Sequence, residues 1–242
     1  MVRGTRRAAD RLRPHPRLHH APRVAAQRTA RPGRTGERPG VRPPAPRPGR
    51  QVGAWLLWDG AFRDLTYGTP PLPDVTTLYE RAVSFGSFSK AFGLPGLRFG
   101  WCVAPAELLT DCVRIRDYTT LHVSPLNELL AQAVLENAPA FVRPRLDQAG
   151  HNRELLLDWA AAHPDLVSLA APAGGVSAFP RLVDVPDVDA FCDALFQKSG
   201  VLVIPGSCFD SPQHVRIGFG GRTDQLTQGL ERFADALRET RR

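Results

Sequence analysis

The chain has 242 residues, a hydrophobic fraction of 43% and a formal net charge of +7, values that fit a globular protein with one large domain or two modest ones. No apolar run is long enough to cross a bilayer and no secretory signal can be read, so we expect a cytoplasmic protein without a membrane partner. The four cysteines show neither CxxC pairing nor metal-ligand spacing, which predicts free thiols and no metal site.

The positive charge is concentrated in residues 1–50, which contain 14 arginines, no lysine and only Asp10 and Glu37 as acids. With nine prolines and no Phe, Tyr, Trp or Ile, this segment cannot bury enough apolar surface to offset chain entropy, so we predict that it is disordered. It could be a basic arm, a transit peptide, or GC-rich DNA read out of frame. The third interpretation fits best, because 35 of the 50 residues are Arg, Pro, Ala or Gly and no nucleic-acid-binding signature is present; we expect no nucleic-acid partner.

The rest of the chain is mildly acidic and alternates between strand-like and helical segments, the pattern of an α/β fold with a mostly parallel sheet and helices on both faces. Apolar runs at 54–58, 82–85 and 99–104 predict three buried strands. The first ends at Asp59. Catalytic groups on open α/β sheets gather at the carboxyl ends of strands, so Asp59 is a candidate site residue; the alternative is an aspartate that caps the next turn.

The most specific pattern covers residues 87–101, Ser-Phe-Ser-Lys-x-Phe-Gly-Leu-x-Gly-x-Arg-x-Gly-Trp. Its lysine, Lys90, follows the hydroxyl side chains of Ser87 and Ser89 and precedes a glycine-containing turn that leads to Arg98. A buried ammonium is costly unless it is paired or neutral, and a lysine that forms an imine escapes that cost. Hydroxyl groups and a guanidinium are the donors that a phosphate dianion prefers.

Three helices are predicted after the third strand. The first begins at about Pro105, a proline in the favoured first turn, and the third covers about 140–162 with a break or kink near Pro144. The second carries one apolar face made of Leu126, Leu129, Leu130, Ala133 and Val134.

Near residue 164 the pattern changes to short strands and helices, which predicts a large domain over 51–163 and a small α+β domain over 164–242. A helix over 188–198 should end at Gly200. A closing helix is indicated by the apolar stripe of Leu226, Leu230, Phe233 and Leu237. Strands are predicted at 166–170, 176–179, 201–204 and 214–219.

The pattern around Lys90 resembles the cofactor-lysine segment of class I/II aminotransferases, the pyridoxal-phosphate enzymes of fold type I. The resemblance implies that Lys90 forms a Schiff base with pyridoxal 5′-phosphate. It also implies that Ser87, Ser89 and Arg98 hold the cofactor phosphate. Asp59 would face the protonated pyridine nitrogen and keep the ring cationic, so that the cofactor acts as an electron sink.

Two more positions follow from the same resemblance. Residues 214–219, His-Val-Arg-Ile-Gly-Phe, resemble a small-domain strand whose arginine grips the substrate α-carboxylate, which gives that role to Arg216. Phe62 stands where the family has a tyrosine whose hydroxyl bonds the cofactor's phenolic oxygen, and phenylalanine cannot form that bond. Phe62 therefore adjoins the cofactor but departs from the family pattern.

The resemblance implies an amino-acid aminotransferase with amino-acid and 2-oxo-acid substrates, in which Lys90 moves a proton at the substrate Cα. Phe62 and the unusual loop 173–177 favour an alternative: elimination, replacement, cyclisation or oxidation on the same fold, as in its capreomycidine-synthase-like members. A non-catalytic remnant is a third possibility.

The resemblance covers residues 52–242, about the later half of a typical family member. We therefore expect an N-terminally truncated chain that contains part of a fold type I large domain and the small domain. The family site lies at a homodimer interface, and several of its parts are not found in residues 1–50. An exposed sheet edge and an uncovered apolar face should result.

Overall fold

The computed structural model describes residues 52–241, in which short sheets are joined by helices. The first sheet contains, in this order, β1 (Leu56–Asp59), β2 (Ala82–Ser87) and β3 (Gly100–Val103). β2 and β3 are antiparallel, with Ser87 opposite Gly100. The α/β class and the three predicted strands are confirmed, but the predicted burial is wrong for β3, whose four residues are all exposed, because an apolar run is buried only where a second surface packs on it. The predicted disorder of residues 1–50 lies outside the described residues.

The beginning of β2 is anchored by the carboxylate of Asp74. Its Oδ2 accepts a hydrogen bond from Ser84 Oγ at 2.8 Å, and its Oδ1 accepts one from Thr76 N at 2.9 Å, which caps the short 3-10 helix Val75–Thr77. Burial alone would raise the pKa of Asp74, but the bonds from Thr76 and Ser84 and the charge of Arg63 outweigh it and lower the pKa. The stability that this carboxylate contributes is therefore present at neutral pH and lost as the pH falls through the lowered pKa.

The helices that follow the first sheet are α1 (Ala106–Arg116), α2 (Pro125–Glu136) and α3 (Ala138–Ala162). Pro105 is the N-cap of α1, with an extended ψ of 141°, and not a first-turn residue as predicted. α3 begins two residues earlier than expected and continues through Pro144.

The apolar face predicted for α2 is only partly the face that packs. Val134 is buried as predicted and, with Ala131, contacts the cluster around Phe88. Leu126 and Leu129, however, are 72% and 65% exposed. α2 has apolar residues on more than one side, so spacing alone could not identify the side that meets the rest of this chain.

Apolar surface also lies open on β3 and α1. All four residues of β3 are exposed, among them Trp101 and Val103, and α1 has no buried residue. Val113 and Ile115 of α1 are more than half exposed. The predicted uncovered apolar surface is therefore confirmed for the part of the chain that the structure describes.

The C-terminal part contains β4 (Val167–Ser168), β5 (Ser177–Ala178), β6 (Arg181–Leu182), α4 (Val188–Ser199), β7 (Ile204–Pro205), β8 (Val215–Gly218) and α5 (Thr223–Glu239). β4 pairs with β6, and a second sheet has the order β5-β8-β7. All these pairs are antiparallel. Residues 57–241 belong to one compact unit, and the predicted domain boundary near residue 164 stays a prediction.

Local signals in this part are confirmed. Gly200 ends α4 with a left-handed φ of 70°, and Asp187 Oδ1 caps its beginning by accepting from Ala190 N at 2.9 Å. The predicted stripe of α5 is buried, at Leu226, Leu230, Phe233 and Leu237. Phe233 and Leu237 pack with Phe191 and Leu195 of α4 in one core cluster.

Three predicted strands are shorter than expected. Only Val167–Ser168 of the run 166–170 and Ser177–Ala178 of the run 176–179 are strand residues. Of the run 201–204 only Ile204 is, in the strand Ile204–Pro205. Leu202 is 75% exposed. An apolar run can be half exposed and unpaired, because strand formation also needs a neighbouring backbone at each position.

Asn152 of α3 joins this helix to the end of β8. It is fully buried; its Nδ2 donates to Phe219 O at 2.8 Å and Gly221 O at 2.9 Å, and its Oδ1 accepts from Thr223 Oγ1 at 2.7 Å. Asn152→Ala should lower the free energy of unfolding by about 3 kcal/mol, because these buried groups lose their partner. Urea denaturation measures the change.

The control for Asn152→Ala is His151→Ala, which truncates the exposed neighbouring residue of the same helix. His151→Ala should change the free energy of unfolding by no more than about 0.5 kcal/mol. Equal urea midpoints for the two variants would show that the buried amide contributes nothing.

Candidate active site

Lys90 lies in a tight turn directly after β2, and backbone hydrogen bonds define this turn. Gly93 N donates to Lys90 O at 3.0 Å, and Leu94 N donates to Phe88 O at 2.9 Å. Gly93 has a φ of 69°, which only glycine adopts without strain. Ser89 N donates to Ser87 Oγ at 3.1 Å, so the two predicted hydroxyl residues and Lys90 form one compact group.

Phe88 attaches this turn to the protein interior. Its ring is completely buried, with its centroid 4.9 Å from that of Phe92, 5.8 Å from Phe99 and 5.1 Å from Trp101. Phe88 N also donates to the carbonyl oxygen of Phe99, the residue just before β3, at 3.2 Å. Because Phe88 points inward, its neighbours Ser87 and Ser89 are left partly exposed.

The side chain of Lys90 is exposed, so the cost of burying an ammonium group does not arise in this structure. Its Nζ lies 5.5 Å from the centroid of the Phe62 ring, a favourable cation–π geometry. No hydrogen bond or ion pair to Lys90 Nζ is formed within residues 52–241. The structure thus brings together Phe62 and Lys90, two residues that the family resemblance assigns to the cofactor site.

Asp59 is the last residue of β1, and the loop that follows it lies beside β2. Asp59 Oδ1 accepts from Ala61 N at 3.0 Å, so the turn-capping role that was weighed as an alternative is present. Gly60 N donates to Phe85 O at 2.8 Å, which places this loop next to the strand that leads to Lys90. Within the described part of the chain Asp59 Oδ2 has no hydrogen-bond partner, and the carboxylate is exposed.

Arg98 lies at the other end of the lysine segment. It follows the 3-10 helix Pro95–Leu97, has a left-handed φ of 50°, and its Nη1 donates to Pro95 O at 3.1 Å. Asn127 of α2 fixes this corner by donating from Nδ2 to Leu97 O at 3.0 Å. Since Gly100 pairs with Ser87, Arg98 is two residues from the pairing partner of the serine segment.

Arg216 lies on β8, opposite Ile204 of β7. Its guanidinium carbon is 5.8 Å from the Phe209 ring centroid, and Phe209 makes an edge contact with Phe179 at 5.7 Å. Among the described residues no hydrogen bond, ion pair or ring contact joins Arg216 to Lys90. Ser87, Ser89 and Lys90 lie together at the end of β2, where Phe62 contacts Lys90. Asp59 ends the neighbouring strand β1, and Arg98 comes just before the neighbouring strand β3.

His214 contacts the pair of aromatic rings, Phe179 and Phe209, that lies beside Arg216. Its ring is stacked on Phe179, with centroids 4.9 Å apart, and its buried Nδ1 has no hydrogen-bond partner within the described chain. Burial and the nearby charge of Arg181 lower the pKa of His214. A neutral imidazole is therefore favoured here.

The sequence analysis missed residues that hold the loop 172–175 near Phe62. Tyr67 Oη donates to Gly175 O at 2.7 Å, and Arg153 Nε donates to Pro172 O at 2.7 Å. A Cβ atom at Gly175 would lie 3.8 Å from Phe62 Cδ1. Burial raises the pKa of the Tyr67 hydroxyl, and the charge of Arg153 partly opposes this rise. In the sequence, the Gly174-Gly175 pair was the only sign that this loop is held close to other residues.

The donor set fits the cofactor that the resemblance implies, as far as residues 52–241 supply it. Ser87, Ser89 and Arg98 offer hydroxyl and guanidinium donors to a phosphate dianion. The amine of Lys90 has no competing polar partner in that range, and one oxygen of Asp59 is available to a cationic ring nitrogen. All these groups are at least partly exposed, so they form one open side of a site and not an enclosed cavity.

No cluster of three or more His, Cys, Asp or Glu side chains that could hold a metal ion occurs in the described range. Over the same residues, no helix combines the length and apolar character that crossing a membrane requires.

Comparison with known proteins gives one consistent family. Residues 50–233 match the family model for aminotransferase class I and II. A capreomycidine synthase from Streptomyces vinaceus is 47% identical over 184 residues, which are 76% of this chain and 47% of that protein. A 3-methylarginine biosynthesis aminotransferase from Streptomyces arginensis is 30% identical over 191 residues, 77% of this chain and 49% of that protein.

Among solved structures, the PLP-dependent cyclase OrfR in complex with Au superposes with a TM-score of 0.75 and 39% identity. The superposition covers 79% of this chain and 52% of that structure. The chain thus spans about half the length of the curated relatives that it matches. The predicted partial fold type I architecture is confirmed by these superpositions.

Proposed function

Because the chain belongs to the family of class I and II aminotransferases, we propose that it acts on an amino acid with pyridoxal 5′-phosphate and that its reaction is a ring closure. Members of this family depend on pyridoxal 5′-phosphate, act on amino acids and 2-oxo acids, and are typically dimers. The activity, the substrate and a homodimeric state of the whole protein are part of this proposal, since the chain spans about half of its relatives.

The structural observation that carries the proposal is the contact of Lys90 Nζ with the Phe62 ring at 5.5 Å. In this proposal the amine of Lys90 serves one site with the hydroxyl and guanidinium donors of its segment, and the aromatic ring next to the amine carries no hydroxyl. The similarity to a capreomycidine synthase at 47% identity and to a PLP-dependent cyclase at 39% identity favours ring closure over transamination.

Each residue of the group has one proposed task. Lys90 Nζ holds the cofactor and removes and returns the proton at the substrate Cα. Ser87, Ser89 and Arg98 bind the phosphate, and Asp59 balances the charge of the ring nitrogen. When bound, the cofactor supplies an electron sink for the electron pair left at Cα.

Arg216 binds the substrate carboxylate in this proposal. Its side chain is exposed on β8 and is flanked by the Phe209 ring. A planar guanidinium can bind a carboxylate through two parallel hydrogen bonds, and the ring restricts the positions that the guanidinium takes. The substrate would thus be bound by two separate parts of the chain, its carboxylate by Arg216 on β8 and its Cα beside Lys90 after β2.

Ring closure has simple chemical requirements. A leaving group on Cβ departs after the Cα proton is removed, and a nitrogen of the same side chain forms the new bond to Cβ. With a hydroxyl as the leaving group, the overall reaction releases one water, and the product keeps both the α-nitrogen and the side-chain nitrogen that forms the new bond. Basic amino acids with a hydroxyl on Cβ are therefore the proposed substrate class.

Transamination is the second candidate. The family description and the relative that is a 3-methylarginine biosynthesis aminotransferase support it. In that reaction the α-nitrogen leaves the substrate and appears on a 2-oxo acid. The fate of this nitrogen separates the two candidates.

The test uses the 242-residue chain with added pyridoxal 5′-phosphate and β-hydroxy derivatives of lysine, ornithine and arginine labelled with ¹⁵N at the α-position. Each is incubated with and without 2-oxoglutarate, and Lys90→Ala is the control. We expect a product lighter by one water that keeps the label and forms without 2-oxoglutarate. Labelled glutamate as the main product would overturn ring closure, and absence of both products would overturn the proposed activity of this chain.

A further inference from the structure

Arg145 of α3 is packed against the turn that carries Lys90. A Cβ atom at Gly93 would lie 2.8 Å from Arg145 Nε and 2.9 Å from its Cδ, so the arginine occupies the space that the missing side chain leaves. Gly93 N in turn donates to Lys90 O. Arg145 Nε is buried and has no hydrogen-bond partner within the described residues, so its contact with the Gly93 turn is one of packing.

The far end of Arg145 reaches the chain segment that follows β8. Its Nη2 donates to Gly220 O at 3.0 Å, and its Nη1 donates to Gln148 Oε1 at 3.2 Å. Gly220 comes four residues after Arg216. A Cβ atom at Gly220 would lie 2.7 Å from Val176 Cβ, so this segment has little freedom to move.

Three consecutive carbonyls after β8 are therefore bound by side chains of α3. Asn152 binds those of Phe219 and Gly221, and Arg145 binds that of Gly220. The two side chains are seven residues apart and lie on the same side of the helix. Arg145 differs from Asn152 because it also contacts the turn of Lys90.

We propose that Arg145 is a positioning residue that holds the Lys90 turn and β8 at a fixed separation. In this role it acts through the protein and not on the substrate or cofactor, because its two terminal nitrogens donate to Gln148 Oε1 and Gly220 O and its Nε faces the Lys90 turn. A rigid, planar guanidinium suits this task better than an ammonium, because it holds two terminal donor nitrogens at fixed positions and a lysine has only one nitrogen. The consequence for amino-acid binding rests on the proposed function, since it acts through the carboxylate role of Arg216.

The first test needs no activity. Amide hydrogen exchange of the full chain is compared between wild type, Arg145→Ala and Arg145→Lys. Two reporters are the amides of Leu94 and Phe219, which donate to Phe88 O and Val176 O. We expect both to exchange about tenfold faster in Arg145→Ala, because one contact supports both segments. Arg145→Lys keeps the alkyl stem and should show a smaller increase at both.

The matched control is Arg143→Ala. Arg143 lies on the same helix, its side chain is 82% exposed, and its only ion pair in the described chain is to Asp147 at 3.9 Å. Exchange at both reporters should match wild type in this variant. Unchanged exchange in Arg145→Ala, or faster exchange at only one reporter, would overturn the positioning role.

The second test asks whether the effect reaches the substrate through Arg216. In the presence of pyridoxal 5′-phosphate, Arg145→Ala should weaken amino-acid binding about tenfold and leave cofactor affinity within about twofold. In an Arg216→Ala background it should have no further effect. Fully additive losses would contradict coupling through Arg216. If wild type binds no amino acid, the proposed function fails, and the exchange measurement still decides the positioning role.

Discussion

Lys90→Ala is expected to abolish the covalent attachment of pyridoxal 5′-phosphate to the chain after reduction with borohydride. The amine of Lys90 is exposed, has no competing hydrogen bond or ion pair within residues 52–241, and belongs to the same segment as the hydroxyls and guanidinium that fit a phosphate. By binding the cofactor phosphate, those groups would hold the aldehyde near the Lys90 amine and favour its reaction there over reaction with another amine of the chain. Visible absorbance and peptide mapping of the reduced protein measure the attachment.

The sequence offers a clean control, because it contains only two lysines, Lys90 and Lys198. Lys198 lies at the end of α4, its side chain is 74% exposed, and it is 3.9 Å from Glu239 Oε2. Lys198→Ala should leave the label unchanged. Equal labelling of both lysines, or labelling that persists in Lys90→Ala, would show that the motif does not form a cofactor site in this chain.

Phe88→Ala should have the largest effect on stability, a loss of about 4 kcal/mol in the free energy of unfolding. Its ring is completely buried and contacts Phe92, Phe99 and Trp101, so truncation removes buried area and leaves a cavity among aromatic rings. Phe88→Leu keeps most of the volume and should cost no more than about 1.5 kcal/mol. Urea denaturation of the chain without cofactor measures both.

Phe85→Ala is the comparison for Phe88→Ala. Phe85 lies on β2, three residues before Phe88, which directly follows that strand; it is 41% exposed, so its loss should cost much less. A Phe88→Ala variant that unfolds at the same urea concentration as Phe85→Ala would contradict a central role for this ring. Because Phe88 separates Ser87 from Ser89, its loss should also weaken cofactor binding in samples that remain folded.

Much of the candidate site could be predicted from the sequence because its members are close along the chain. Ser87, Ser89 and Lys90 belong to one turn, and Arg98 follows it by eight residues. Asp59 could be added because it ends a predicted strand and polar residues at strand ends gather at one edge of the sheet, whereas Phe62 was added only by the family resemblance. The structure shows the contacts of Ser89 with Ser87 and of Lys90 with Phe62, while the roles of all these residues remain proposals.

Arg145 could not be found in this way. Its contacts with Gly93 and Gly220 join residues more than fifty positions away on one side and seventy-five on the other. In the sequence it is one of several arginines on a helix, and Arg143, two residues earlier, forms only an exposed ion pair. Only the packing of α3 against two distant turns separates the two arginines.

The sequence by itself determined the family, the identity of the lysine segment, the cap at Gly200 and the buried stripe of α5, because each depends on residues that are neighbours along one element. Tertiary structure alone decided which side of α2 packs, how short the C-terminal strands are, and which arginine reaches the Lys90 turn. These features depend on partners that are distant in the chain. Burial and pairing are properties of two surfaces that meet, and a local pattern describes only one of them.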